Sequence, residues 1–268
     1  MSADAERTER EPLVLVSREG AIATVTINRP GSLNAINDEL RPLLTSTIAE
    51  VTADRDVRVL VLTGAGRAFC AGGDIKSMRE RLDAPSGRVA IDGWRRQHRT
   101  AALVRNIHEA PLVTIAAVNG AAMGLGMDLA LACDFIVAAP EAKFGAAFVK
   151  RGLIPDGGGM YFLPRRVGLS TAKQLMFSGR TVGAEEALAL GIADLVTASG
   201  ETLLAETVEF AAQFAENPST SIALMKGILD RTYETTLGDV AQMGSQAQAI
   251  AYTTEEHRAS VEAFLKKD

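Results

Sequence analysis

The strongest constraint on the fold of this chain is a recurring pattern: a short, almost unbroken apolar run, then a turn containing glycine, then a helical stretch. Residues 57–62 (VRVLVL), 112–118 (LVTIAAV) and 135–138 (FIVA) are such runs. A strand that is apolar at successive positions has both faces buried, so the sheet must be covered on two sides. Strands that alternate with helices imply crossover connections and a mostly parallel sheet. Two further strands open the chain, at 13–17 and 21–28. In the second, Ala23, Val25 and Ile27 alternate with Thr24 and Thr26, the period of a half-buried strand. Residues 37–54 read as a helix with Leu40, Leu43, Leu44, Ile48 and Val51 on one face and Asn37 or Asp38 able to cap it.

From residue 170 onward the pattern is almost entirely helical, with segments at 170–177, 183–189, 201–217, 219–233 and 237–266. The polar stretch 77–98, interrupted by Pro85 and Gly87, reads as a mobile loop with partial helix that could cover a site. The expected organisation is a disordered tail over 1–11, an α/β core over 12–200 and a helical C-terminal region over 201–268. A chain of 268 residues buries a sizeable core without staples, and two cysteines, Cys70 and Cys133, make no disulfide framework. The opening MSADAERTER has no apolar run, and no stretch of 18 apolar residues follows, so a cytoplasmic protein with no membrane span is expected. With 28 basic and 33 acidic side chains the net charge is −5, which argues against a nucleic-acid backbone as partner.

Several chemistries are disfavoured by what the chain lacks. Its three histidines, His98, His108 and His257, form no metal-spaced cluster with cysteines or carboxylates. There is no G-x-S-x-G elbow and no phosphate-binding GxxxxGK[ST] loop, and Gly157-Gly158-Gly159 is not a dinucleotide fingerprint. Two glycine-bearing turns stand out instead, GAGRAFCAGGD at 64–74 and NGAAMGLGMD at 119–128. Each directly follows a buried strand, and small residues let a ligand approach the backbone. The second turn opens a helix, whose first N–H groups have no partner within it. N–H groups from the two turns could converge on one oxygen and form an oxyanion hole. From spacing alone, ordinary strand-to-helix turns fit equally well. Asp128 lies in the first turn of that helix, where a carboxylate can simply offset the helix dipole. Asp156, in IPDGGG, is either a turn aspartate or, buried near Phe148, Leu153 and Ile154, a general base of raised pKa.

Taken together, these segments resemble the enoyl-CoA hydratase/isomerase (crotonase) superfamily. The resemblance is carried by NRPGSLNAIN at 28–37, GAGRAFCAGGDIKSM at 64–78, AAVNGAAMGLGMDLALACDFIVA at 116–138, AKFGAAFVKRGLIPDGGGMYFLPRRVG at 142–168 and SGRTVGAEEALALGIADLV at 178–196. It implies a spiral of ββα units with a helical C-terminal region that makes homotrimers or dimers of trimers. It also implies an acyl-CoA substrate, with coenzyme A as part of that substrate and no separate metal or redox cofactor. By this resemblance Ala71 and Leu125 supply the two oxyanion-hole N–H groups. The family often has glycine where Leu125 stands. Ala71, Gly72, Gly73, Asp74 and Ile75 line the coenzyme A pocket, and Gly124, Leu125 and Phe148 line the acyl site. Leu33 and Ala35 meet the nucleotide end through their backbone, with Gly31 where many members carry a basic residue. Phe264 and Lys267 match family residues that reach a neighbour's adenosine.

The departures from the family pattern bear on the reaction. Hydratases use two glutamates; Asp128 takes the place of the first and Phe148 that of the second. Phenylalanine cannot transfer a proton. Asp156, where hydratases usually have glycine, is similar to the catalytic aspartate of dienoyl-CoA isomerases and to the IPDxGG pattern of the ring-epoxide isomerase of phenylacetyl-CoA degradation. The expected activity is therefore isomerisation of an enoyl-CoA, with Asp156 moving the proton and Asp128 assisting. The alternatives are hydration by Asp128 and Asp156 as a substitute pair, thioester hydrolysis or dehalogenation, and a catalytically silent acyl-CoA-binding scaffold.

Overall fold

The computed structural model describes residues 11–82 and 84–266. The expected disordered tail therefore lies outside the described residues, except for Glu11. The chain opens with an antiparallel pair, β1 (Val14–Glu19) and β2 (Ile22–Ile27), followed by α1 (Leu40–Ala53) and β3 (Val59–Gly64). Two helices, α2 (Ile75–Leu82) and α3 (Ser86–His108), lead to β4 (Val113–Val118). Then come β5 (Ala121–Met123), α4 (Leu125–Leu131), β6 (Phe135–Ala138) and β7 (Lys143–Gly145). Next are α5 (Gly159–Val167), α6 (Leu169–Ser178), β8 (Val182–Gly183), α7 (Ala184–Leu190) and β9 (Leu195–Val196). The chain closes with α8 (Leu203–Ala215), α9 (Ser219–Leu229), α10 (Leu237–Ala251) and α11 (Glu255–Leu265).

The large sheet has the order β1-β2-β3-β4-β6-β9 and is parallel from β2 onward. A small second sheet, β5-β7-β8, runs beside it. The chain thus spirals: β4 and β6 each place one strand in the large sheet, and β5 and β7 carry it straight into the small one. The apolar runs are explained by two-sided burial. On β3, Leu60 and Leu62 face one core, packed with Leu40, Leu44, Leu103 and Ile107 of α1 and α3. Val59 and Val61 face the other, which α8 closes with Leu203 and Ala211. There Phe135 stacks on Phe214 with ring centroids 4.8 Å apart. The first helix of the C-terminal region therefore completes the sheet's core.

Three local expectations change. Residues 77–82 and 86–98, expected as a loop with partial helix, lie in α2 and α3, with Pro85 at the N-cap of α3 and Gly87 in its first turn. Both residues punctuate the junction of two helices. The charged first half of α3 carries no apolar stripe because it is largely exposed, while Leu103, Val104 and Ile107 bury the second half. The single helix expected at 237–266 is two, because Thr254 caps α11 by accepting from His257 N–H at 3.1 Å. Leu43, expected on the buried face of α1, is exposed. Asn37 does cap that helix, accepting from Leu40 N–H at 2.8 Å. No helix among the described residues is long and apolar enough to cross a membrane.

Candidate active site

The site begins where the chain leaves β3. Gly64 is obligatory, since a Cβ there would lie 2.3 Å from Phe69 O. The turn that follows is held from outside by residues 33–36. Leu33 and Asn34 adopt left-handed backbone conformations, at φ 51° and 57°. Such conformations suit asparagine but are unusual for leucine. The Asn34 amide donates to Ala65 O at 2.9 Å and Ala68 O at 2.7 Å, and its oxygen accepts from Arg29 N–H. Ile36 N–H donates to Gly72 O and Asp74 N–H to Ile36 O, which makes a short parallel rail. Arg29 locks the rail by an ion pair to Asp74 at 2.6 Å and a bond to Ala35 O at 2.8 Å. The Asp74 carboxylate also accepts from Lys76 and Ser77 N–H at the start of α2. Burial pushes this carboxyl up, but Arg29 and those two amides outweigh it and hold Asp74 below the usual range. Asp74, expected to line a ligand pocket, therefore turns its side chain inward as a cap and brace.

The second turn packs against the first. Cys70 N–H donates to Ala121 O, and Met123 N–H donates back to Cys70 O. Asn119 donates to Gly64 O and Gly66 O. Gly120 and Gly126 leave no room for side chains: a Cβ on the first would lie 2.2 Å from Arg67 O, and on the second 2.0 Å from Cys70 O. Gly124, at φ 53° and ψ −122°, turns the chain into α4, so Leu125 is the first helical residue. Cys70 itself is buried, and its thiol is pushed up to about 12, so it carries no nucleophile.

This pairing settles which N–H groups are free. The N–H of Ala71, expected to serve an oxyanion hole, donates to Leu33 O at 2.9 Å and is unavailable. The N–H of Gly72 points at Cys70 Sγ, 3.4 Å away. Gly72 has φ 95°, which turns the chain before Gly73. Among the described residues, Gly73 N–H and Leu125 N–H have no acceptor. The two turns touch here, because a Cβ on Gly72 would lie 3.5 Å from Leu125 N. An extended segment of known register would have shown that Ala71 N–H is spent, but the partner strand lies 38 residues earlier and is invisible to local pattern.

The two aspartates converge from different elements. Asp128, on α4, is 1% exposed, and its Oδ2 accepts from Gly157 N–H at 3.1 Å. The glycine run exists to admit this carboxyl: a Cβ on Gly159 would lie 2.2 Å from Asp128 Oδ1, and one on Gly157 2.7 Å from Oδ2. Burial raises the Asp128 pKa to about 8, with Asp156 adding repulsion and the Gly157 and Gly159 amides pulling back. Asp156, in the turn just before α5, is exposed. Burial raises its pKa as well, against its own N–H, the charge of Arg96, a hydrogen bond from Gln97 and the charge of Arg41. Phe148 stands over the turn into α4, its ring 3.7 Å from the position of a Gly124 Cβ. A cavity of about 690 Å³, within the usual range for ligand pockets, lies between α3, α5 and α9 with Asp156 on its wall. Val104, His108, Tyr161 and Phe162 line it.

The remaining expected residues lie apart from this centre. Leu33 and Ala35 do present backbone carbonyls, each already accepting one internal bond. Ile75 is exposed at the start of α2, and Gly31 sits in a short turn over Pro30–Ser32. Phe264 is 72% exposed on α11. Lys267 lies outside the described residues. Arg29, Arg41, Arg96 and Gln97 were not singled out in the sequence, because they come together from three separate segments.

Comparison with known proteins agrees with this architecture. The family model for enoyl-CoA hydratase/isomerase matches residues 17–268. The 1,2-epoxyphenylacetyl-CoA isomerase of Escherichia coli (strain K12) is 37% identical over 254 residues, 95% of each chain. The short-chain-enoyl-CoA hydratase of Clostridium acetobutylicum is 34% identical, again over 95% of each. Among solved structures, an enoyl-CoA hydratase from Bacillus anthracis superposes with a TM-score of 0.88 at 29% identity, covering 96% of this chain and 97% of that one. An enoyl-CoA hydratase/isomerase from Cupriavidus metallidurans CH34 gives a TM-score of 0.87 at 33% identity, covering 96% and 94%.

Proposed function

The chain belongs to the enoyl-CoA hydratase/isomerase family, and from that premise we propose that it is an acyl-CoA isomerase that moves a double bond or rearranges a ring in an enoyl thioester. The observation that carries this reading is the unequal pair of carboxyls. Burial raises the Asp128 pKa to about 8, while Asp156 stands exposed in the field of Arg96. Two titratable groups whose environments separate their states are the working arrangement of acid and base.

In the proposed mechanism, the thioester oxygen accepts from the N–H groups of Gly73 and Leu125. Charge builds on this oxygen as the carbon-bound proton leaves, so each donor lowers the barrier by ~3 kcal/mol. The Asp156 carboxylate takes the proton from the carbon next to the carbonyl, or from its vinylogue. The electron pair moves into a dienolate, and Asp156 returns the same proton at another carbon. The substrate thus gains and loses no atoms. Neutral Asp128 adds no negative charge beside the substrate and so does not repel the dienolate. Phe148, where the family's hydratases carry a proton-transferring glutamate, offers a hydrocarbon wall and holds no water.

Product mass from a panel of 2-enoyl, 3-enoyl, 3,5-dienoyl and ring-type thioesters tests the reading. A product of unchanged mass with a shifted double bond is expected. Asp156→Asn is expected to lower kcat by roughly 10²–10⁴-fold, the usual span for a lost acid–base group. Full activity in that variant would overturn the mechanism. Hydration is the second reading, favoured by the hydratase name of the Clostridium relative and by the closeness of the two carboxyls. A product heavier by one water would establish it.

A further inference from the structure

We propose that the acyl group ends in a ring bearing a hydroxyl, and that His108 and Asp230 hold this hydroxyl between them at the far end of the cavity beside Asp156. This rests on the acyl-CoA reading above and narrows it.

A line of contacts leads from the reacting centre into this cavity. The side chain of Leu125 lies against Gly157, where a Cβ would come 2.6 Å from Leu125 Cδ1. Gly158 follows and faces α3; a Cβ there would lie 3.4 Å from Val104 Cγ1 and 2.5 Å from the Phe162 ring. Asp156, Gly157, Gly158, Val104 and Phe162 all line the cavity, so the turn that carries Asp156 is also its near wall. His108 lies one turn beyond Val104 on α3, about 6 Å along the helix axis. It lines the same cavity, and Asp230, at the end of α9, lines it from the other side.

That far end is polar and held in place. His108 Nε2 and Asp230 Oδ2 are 3.9 Å apart, close enough to attract but too far for a hydrogen bond. Neighbouring aromatics on α5 fix both partners. The Phe162 ring meets His108 edge-on with centroids 4.9 Å apart, and Tyr161 OH donates to Asp230 O at 3.1 Å. One turn back on α9, the buried Lys226 anchors the helix by donating to Leu112 O at 3.1 Å and Asp134 Oδ2 at 2.7 Å. An oxygen set between His108 and Asp230 can bond to both. The surroundings select its kind. A carboxylate would face Asp230 and Glu109, and an ammonium would face Lys226, Arg105 and Arg231. An alkyl end would strip water from His108 and Asp230 and return nothing. A hydroxyl is neutral, donates to Asp230 and accepts from His108. The wall before it is apolar and partly aromatic, which suits a flat ring. One six-membered ring with its substituent spans the helical turn from Val104 to His108.

The test uses thioesters with no double bond to move, so that it is independent of catalysis. Binding of 4-hydroxyphenylacetyl-CoA and of 4-methylphenylacetyl-CoA, whose methyl matches the hydroxyl in size, is measured on the full chain by calorimetry. His108→Phe, which keeps a ring against Phe162 but has no nitrogen, and Asp230→Ala are measured alongside. The wild type is expected to bind the hydroxyl thioester about tenfold more tightly, the effect of one hydrogen bond to a charged group. The ratio is expected to fall toward one in each variant. Equal or weaker binding of the hydroxyl thioester by the wild type, no binding of either thioester, or a preference that survives in either variant would overturn the proposal. Double-bond movement in the enoyl panel is scored separately. Its absence, with the binding preference intact, would overturn the isomerase reading and leave this one standing; its presence, with no preference, would do the reverse.

Discussion

Asp128→Asn should stabilise the protein at neutral pH, and the gain should grow as pH rises. The Asp128 carboxyl has a folded pKa of about 8 against a reference value of 3.8, chiefly because it is buried. Between those two values the folded protein holds a proton that the unfolded chain has released. Stability is unaffected by this group below 3.8, falls as pH rises, and stops falling above about 8. The slope is about 1.4 kcal/mol per pH unit for one proton, so the wild type should lose about 3 kcal/mol between pH 5 and pH 7 through Asp128 alone. Asparagine has the same shape, keeps an oxygen for Gly157 N–H and cannot ionise. Asp156 is present in both proteins, so its own titration largely cancels from the difference. Urea unfolding of both proteins at pH 5, 6 and 7, at one protein concentration, gives the stability difference directly. A difference that stays flat across that range would mean that Asp128 is ionised in the folded protein, and the proposed division of roles between the carboxyls would fail.

Three further outcomes follow from the same geometry. Arg29→Gln strands a buried Asp74 carboxylate, so stability should fall by about 3 kcal/mol, the lower end for breaking a buried pair because Arg29 is partly exposed; a thermal midpoint within experimental error of the wild type would refute the bracing role. Gly159→Ala drives a methyl onto Asp128 Oδ1 and should lower melting temperature and kcat together; a fully active variant would show that the carboxyl is not seated there. The pH profile of kcat/KM should be bell-shaped, because activity needs Asp156 ionised and Asp128 protonated, with the alkaline limb near 8. In Asp128→Asn that alkaline limb should disappear from the profile, and its persistence would assign it to another group.

Much of the frame was legible because it follows from burial and chain geometry. VRVLVL can only sit in a sheet covered on both faces, and β3 does, with Leu60 and Val61 in opposite cores. The glycines at 64, 120, 124 and 126 marked two turns where backbone meets backbone, and the structure zips those turns together through Cys70. What was not legible depends on partners distant in sequence. Ala71 and Gly73 look alike as oxyanion donors until Leu33 arrives to occupy one of them. Asp74 looks like a site carboxylate until Arg29 is seen beneath it. The polar stretch 77–98 gave no helical stripe, because a helix exposed on most of its surface has no buried face to impose one.

The placement of Asp128 argues for function more strongly than any single motif. A carboxyl in this position works against the fold at neutral pH by about the amount that the asparagine variant should recover. The chain accommodates it at the further expense of glycines at 157 and 159, where any side chain would displace it. Glycine at a helix start also forfeits backbone entropy that alanine would save. If the carboxyl served only to brace α4 against α5, an asparagine would make the same bond to Gly157 N–H with no charge to suppress. A buried acid whose pKa is raised, held beside a second carboxyl, is what a proton-moving site needs and what a structural brace does not. Strain kept at one point of an otherwise consistent fold is the mark of a working site. Here that strain is held in one carboxyl, one hydrogen bond from Asp156's own turn.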